Sequence, residues 1–568
     1  MRRLSMNRFS PLVSSMLLAA APAAAQTAHD LPLKHAPAKT TAAITPADLM
    51  TRLYIFADDS MQGREAGMPG NVKGTNYIAA EIRRLGLVPA GDSGTYFQTI
   101  PLKTREFDTT STFSVGGASL AVFADYVPNA RVPVVNVAMP IVYGGDLADT
   151  AHHIAPEQAA GKLVVFSAKA GLIGRRVRTP TLPGVAGVAV IGLDSLPPLF
   201  RAFFRRPQSF VDDIPPGAPP PTPTFLISSG AAGRMFGKPL DSLTLGTTGA
   251  TAAITMRYTT TPVPDPARNV VAIIPGSDPK LKGEYVAIGG HNDHIGLARP
   301  VDHDSIRIFN EIVRPEGADD ARKQPTPEQL AQVSQRLAAF RAAHPGHTRI
   351  DSISNGADDD GSGSVSALEI AEYFATMKQK PKRSLIFVWH VGEEKGLLGS
   401  RFFTDHPTVP RDSIVAQLNM DMVGRGAAGD ETGRTKDSVA LHGGPGYLQL
   451  VGSRRLSTEL GDLVEQVNTQ GHHNLTLDYA LDADGHPSNI YCRSDHYEYA
   501  RYGIPIVFFT TGLHRDYHQV TDEPQYIDYE HMARVDRLVA DVALRVANLD
   551  HRVVVDKPKP DPNGQCRQ

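Results

Sequence analysis

Two cysteines, Cys492 and Cys566, and a single tryptophan, Trp389, are all that 568 residues contain of either type. So few cysteines exclude a fold built on a disulfide framework, and both one bridge and two free thiols fit the count. No stretch reaches the roughly 20 consecutive apolar residues of a membrane span. No sign of charge predominates, since 57 Lys and Arg stand against 60 Asp and Glu, which argues against nucleic acid as the main partner. Internal repeats are absent, and so is any low-complexity tract beyond the prolines. Several catalytic signatures are missing too. There is no GxSxG elbow and no Walker A loop. HVGEE, with His390 and Glu393, lacks the second histidine of HExxH and sits on a strand pattern rather than a helix.

What is present begins with a secretory pattern. Arg2, Arg3 and Arg8 precede a short apolar run, and Ala23-Ala24-Ala25 offers a small-residue cleavage site, so residues 1–25 read as a signal peptide. The expected location is therefore exported, periplasmic or extracellular. No cysteine follows the apolar run to take a lipid. Losing this segment removes three arginines and no acid, leaving 54 basic against 60 acidic side chains, a net charge of −6.

The rest divides by pattern. Residues 26–44 are rich in Ala, Thr and Pro and read as a linker. Residues 45–103 include a helix-type segment, YIAAEIRRLG. Residues 121–257 carry short β-branched runs between glycines and read as a strand-rich unit, with DDIPPGAPPPTPT as a loop inside it. RRVR and FRAFFRR in this unit read as a solvated basic face rather than a binding patch. From about 265 onward the pattern alternates. EYVAIGG, SLIFVWHVG, IVAQLNM and IPIVFFT are nearly continuous apolar runs, with helical segments such as SVSALEIAEYFATMKQK between them. This predicts an α/β fold, a mostly parallel central sheet covered by helices. Residues 301–350 form a polar insertion containing a surface helix, and 551–568 read as a flexible tail. Trp389 and His390 are expected in the core or just behind a site.

The chemistry follows the strands. After EYVAIGG come His291, Asn292, Asp293 and His294; after SLIFVWHVG come Glu393 and Glu394; after IVAQLNM comes Asp421; after IPIVFFT comes TGLHRDYHQVTD with His518. Asp358, Asp359 and Asp360 run directly into a helix. Sites in open α/β sheets form at the carboxyl ends of the strands, so these groups gather at one edge. One aspartate after a strand is an ordinary helix cap; acidic and imidazole groups from five separate loops are not. Imidazole with carboxylate suits zinc, and five protein ligands with one shared carboxylate suit two ions about 3.5–4 Å apart. The aspartate run can also be read as a solvated loop or a calcium site, but the EF-hand pattern needs alternating acids, which are absent here.

The set GGHNDH, NGADDDGSG, GEEKGLLGS, LNMDMVG, SDHYEYARYGIP and DYHQVTD resembles the di-zinc exopeptidase superfamily of bacterial leucyl aminopeptidases. That superfamily also contains glutamate carboxypeptidases, glutaminyl cyclases and the transferrin receptor. The resemblance covers about 265–545, and FADDSMQGREAG with LGLVPAGDSGTYFQ extends it into 45–103. It implies a catalytic domain of 45–120 and 258–550 with the zinc exopeptidase fold, and an inserted β-rich unit, 121–257, similar to a protease-associated domain. It implies two Zn²⁺ ions, His291 and Asp421 on one, Glu394 and His518 on the other, and Asp359 bridging, with a cis peptide after Asp359. It further implies Glu393 as the general base, Tyr491 as a group stabilising the transition state, and Asp293 and Asp495 behind the ligands. Peptides would be the substrates. An aminopeptidase is the expected activity; a carboxypeptidase of the glutamate-carboxypeptidase type is the alternative. A metal-free binding module is disfavoured by the complete ligand set and Glu393, and a one-metal cyclase by the same set.

Overall fold

The computed structural model describes residues 31–130, 133–168, 182–196, 201, 204–213, 222–315, 317–318, 324–426, 430–564 and 566–568. The expected secretory segment 1–25 and the RRVR segment lie outside the described residues.

The four apolar runs become the middle of a nine-stranded sheet. Ser384–His390, Tyr285–His291, Ile414–Met420 and Ile506–Thr510 lie side by side in that order, all parallel. Antiparallel strands flank them, Ala267–Ile274 on one side and Tyr447–Val451 on the other. Every residue of Ser384–His390 and Ile414–Met420 is buried, because helices cover both faces. This explains why the runs are nearly continuous in apolar residues; Gln417 and Asn419, the polar pair in one of them, are hydrogen-bonded to each other over 3.1 Å. One face packs against Pro46–Phe56, Gly363–Thr376 and Tyr529–Asn548, and the other against Leu398–Asp405 and His496–Ala500. Each fully buried Val or Leu contributes about 1.5–3 kcal/mol. Trp389 is wholly buried, and its indole N–H donates to the Ser364 carbonyl over 2.9 Å.

An eight-stranded sheet with cores of its own runs from Thr112–Val115 to Thr248–Met256, so its strands start ahead of residue 121. A three-stranded sheet of Leu102–Phe107, Gln208–Val211 and Tyr258–Pro262 lies where the chain enters and leaves it.

The polar insertion is a hairpin, Leu297–Asp302 with Ile350–Ile353, carrying helices His303–Val313 and Pro327–Ala343. Thr326 and Gln329 close a capping box on the second helix, whose one buried residue is Val333. The insertion is fastened to the loop after Ile506–Thr510. Glu523 accepts from His303 Nε2 at 2.7 Å and from Arg349 Nη1 at 2.9 Å, and Asn310 Nδ2 donates to Asp516 over 3.4 Å.

The described residues of 551–568 are tied down rather than loose. Cys566 is bridged to Cys492, and Gln568 Oε1 accepts the Tyr491 N–H at 2.9 Å. Nothing in the polar composition of this segment announces those partners. Replacing Cys566 with serine is expected to lower stability by about 2–4 kcal/mol, read as a fall in the denaturant midpoint; an unchanged midpoint would mean that the bridge contributes nothing.

Candidate metal centre

The carboxyl ends of the parallel strands bring the expected residues together. His291 ends Tyr285–His291, Glu393 and Glu394 follow Ser384–His390, and Asp421 follows Ile414–Met420. The aspartate run leads into Gly363–Thr376, and the Asp359–Asp360 peptide is cis. His291 Nε2 lies 3.2 Å from Asp359 Oδ1 and 3.7 Å from Asp421 Oδ1. His518 Nε2 lies 3.0 Å from Asp359 Oδ2 and 3.0 Å from Glu394 Oε2. The two oxygens of one carboxylate therefore face two separate donor groups. Within each group the ligand atoms lie within 4.8 Å of one another.

These residues fit metal ions. His291 Nε2, His518 Nε2 and Asp359 Oδ2 are buried and make no hydrogen bond of acceptable geometry, although they crowd together. Buried polar atoms seldom go unpaired, and donor atoms converging on a shared point are the arrangement a cation requires.

The three aspartates solve their mutual repulsion by pointing apart. Asp358 accepts the Gly424 N–H at 2.7 Å and faces His514 Nε2 at 3.1 Å. Asp360 accepts the N–H of His291 at 2.9 Å and that of Gly363, at the start of the following helix, at 2.8 Å, a favourable place for negative charge. Asp359 alone turns to the donor groups. Asp522 holds the run from behind, accepting the N–H of Asp358 at 3.0 Å and that of Asp359 at 3.1 Å. Burial, with the neighbouring charge of Asp358 adding to it, pushes the Asp522 carboxyl up to about 6.

Glu393 stands beside the groups, its Oε2 3.9 Å from His291 Nε2. Burial first, then the negative charges of Glu394, Asp421 and Asp495, push its carboxyl well above the usual range, with His291 working the other way. Asp293 lies beside His291. Its main-chain carbonyl, not its carboxylate, meets His291 Nδ1 at hydrogen-bonding distance, 3.0 Å; the carboxylate lies 3.6 Å away. That carboxylate instead accepts the N–H groups of Gly392 at 2.7 Å and Glu393 at 3.2 Å. Asp495 is buried 3.5 Å from His390 Nδ1, and His390 Nε2 meets the Tyr499 hydroxyl at 2.9 Å.

Tyr491 does not reach the pocket that opens beside Asp359, Glu393 and Asp421. Its ring packs instead against Tyr497 and His496, under the Arg455 guanidinium. The tyrosine that lines the pocket is Tyr517, stacked on His518 with ring centroids 3.9 Å apart. Position beside His518, an expected ligand, is the signal that could have pointed to it. Two more residues have partners that the sequence reading did not assign. His294 Nδ1 sits 2.8 Å from Glu394 Oε1 and joins the His518 donor group. Ser494 donates to Asp421 Oδ2 over 2.7 Å.

The model of peptidase family M28 matches residues 340–543, a stretch that includes Asp359, Glu393, Glu394, Asp421 and His518 and begins after His291. The resemblance read from the motifs is borne out over those residues. Leucine aminopeptidase 1 of Aspergillus oryzae is 28% identical over 200 residues, 34% of this chain and 47% of that protein. Leucine aminopeptidase 1 of Coccidioides posadasii is 30% identical over 203 residues, again 34% of this chain and 47% of that protein. The chain thus spans about half the length of these curated relatives. Among solved structures, the aminopeptidase from Aneurinibacillus sp. strain AM-1 aligns with 91% of this chain and 97% of its own, at 16% identity and a TM-score of 0.46. No helix among the described residues is long and apolar enough to cross a membrane.

Proposed function

We propose that this chain, whose residues 340–543 match peptidase family M28, is an exported exopeptidase with two zinc ions that removes N-terminal residues from peptides. The observation that carries the reading is the divided carboxylate of Asp359, one oxygen toward His291 and the other toward His518, with Glu393 alongside. His291 and Asp421 would hold one ion, Glu394 and His518 the other, and Asp359 both, with His294 beside the second. When bound, such a pair polarises a scissile carbonyl and brings the acidity of a water molecule toward neutrality. Glu393 would take the proton from the attacking water and hand it to the leaving amine. The Asp293 carboxylate would keep Glu393 in place through its backbone N–H, and Ser494 would orient Asp421. Asp495 would act from behind through His390. The phenol facing the reacting carbonyl would be that of Tyr517 rather than Tyr491.

Residues 45–120 and 258–550 would form the catalytic domain, 121–257 a protease-associated-like insert, and 1–25 a removable secretory signal. The Cys492–Cys566 bridge accords with a periplasmic or extracellular site, because disulfides persist in oxidising compartments.

The test is a mass-spectrometric digest by the zinc-loaded mature protein of two peptides, one with a free N-terminus and amidated C-terminus, the other N-acetylated with a free C-terminus. Stepwise loss from the first alone is the expected result. Cleavage of the second alone would make the protein a carboxypeptidase on the same metal chemistry. Cleavage of neither, with both ions bound, would sink the exopeptidase reading.

A further inference from the structure

Leu481, Ile490 and Phe508 give the pocket beside the donor groups an apolar wall. Phe508 is fixed by the central sheet, in strand Ile506–Thr510. Leu481 and Ile490 have no such support. They sit in two single-turn helices, Ala480–Asp482 and Ile490–Cys492, so no strand ladder sets the distance between them. Residues 566–568 tie the two turns together. The Gln568 side-chain amide donates to the carbonyl of Leu481 and, over 3.3 Å, to that of Ala483, while its Oε1 accepts the Tyr491 N–H at 2.9 Å. Only one orientation of the amide serves these partners, since the carbonyls need its NH₂ and the N–H needs its oxygen. The Gln568 main-chain carbonyl also accepts the Gly485 N–H at 2.9 Å. Two residues earlier, Cys566 is bridged to Cys492.

One segment therefore holds Leu481 by its own carbonyl and Ile490 through the two residues that follow it, Tyr491 and Cys492. Neither Gln568 nor Cys566 lines the pocket itself. What they fix is the position of two wall residues, and so the width of the space between the wall and the carboxylates of Asp359, Glu393 and Asp421. Apolar contact is sensitive to that width. A gap of about 0.5–1 Å already forfeits a quarter to a half of the dispersion attraction. A branched side chain of the substrate, which meets the wall with many atoms, feels such a gap; a single methyl group hardly does.

We propose that residues 566–568 act as a strap that sets the spacing of Leu481 and Ile490, and that Gln568 and Cys566 are thereby positioning residues for the choice of a large apolar side chain at the cleaved N-terminal residue. This rests on the aminopeptidase reading above.

The test compares leucine p-nitroanilide with alanine p-nitroanilide, which differ only in the N-terminal side chain, as substrates of the zinc-loaded full chain. Gln568→Met keeps the length of the side chain and removes its amide; Cys566→Ser opens the bridge. Each variant should raise KM for the leucine substrate by at least about fourfold, the worth of one buried methylene, and change KM for the alanine substrate by less than about twofold. Turnover of bound substrate and zinc content should stay near wild type. Because both residues act through one strap, the double variant should fall short of the product of the two single effects. Equal losses on both substrates, or loss of zinc, would mean that the segment supports the fold in general and would overturn the proposal. So would an unchanged KM for the leucine substrate in both folded variants. Cleavage of neither substrate by wild type would fail the aminopeptidase reading itself and take the proposal with it, an outcome distinct from turnover that the variants leave unaltered.

Discussion

Replacing Asp359 with alanine is expected to empty both metal positions at once. Among the described residues no other is shared by the two donor groups, His291 with Asp421 and His294 with Glu394 and His518. Removing a residue that merely orients a metal ligand costs about 10–100-fold in affinity; removing a donor common to both ions should cost each of them more than that. The loss should be specific. Asp358 and Asp360, the flanking residues, spend their carboxylates on Gly424, His291 and Gly363 N–H groups, so the loop keeps those supports when Asp359 is shortened. The measurement is metal per chain by mass spectrometry after dialysis against metal-free buffer, with circular dichroism to confirm folding. A folded variant that still carries two zinc ions would remove Asp359 from its bridging place.

The sheet was legible because burial on both faces leaves a plain mark. Leu385–Trp389 reads as an unbroken apolar run and Val415–Met420 as one interrupted by Gln417 and Asn419, and both are buried throughout in the structure. Most of the donor set was legible for a related reason, since the end of a parallel strand fixes where the next residue stands. His291, Glu394 and Asp421 each sit within four residues of a strand end, and each is where the pattern placed it.

Residues on longer loops that no motif marks, Tyr517 among them, were not legible, because their direction depends on backbone turns without a sequence signature. His518 has φ 59° and Met422, next to Asp421, has φ 58°. Both are left-handed positions normally left to glycine, and no glycine marks them. A turn of this kind decides which of two neighbours faces the pocket, and at 517–518 it accompanies Tyr517 in the pocket lining. At Asp293 spacing left the contacting group open. Its spacing from His291 allowed either its carbonyl or its carboxylate to meet the ring, and the carboxylate was drawn instead to the N–H groups of Gly392 and Glu393. The anchoring of the 551–568 segment needed a partner, Cys492, that lies 74 residues away in sequence; two cysteines allow one bridge but do not require it.

Glu393→Gln should separate chemistry from metal binding. The side chain belongs to neither donor group, yet its Oε2 lies 3.9 Å from His291 Nε2 and it lines the pocket with Asp359 and Asp421. Its backbone N–H is held by Asp293 over 3.2 Å, an interaction that the substitution leaves untouched. Glutamine keeps the shape and can still donate or accept a hydrogen bond, but it cannot take up a proton. Turnover should therefore fall by about 10²–10⁴-fold, the usual worth of a positioned acid–base group. Zinc content and substrate KM should stay near wild type, because Glu394, not Glu393, supplies the donor atom at 3.0 Å from His518 Nε2. The contrast with Asp359→Ala is the informative part, since one variant loses the ions and the other keeps them, and both lose activity. Near-normal turnover in Glu393→Gln would mean that the proton is handled by another group. Loss of zinc from it would mean that the two neighbouring glutamates exchange the roles given to them here.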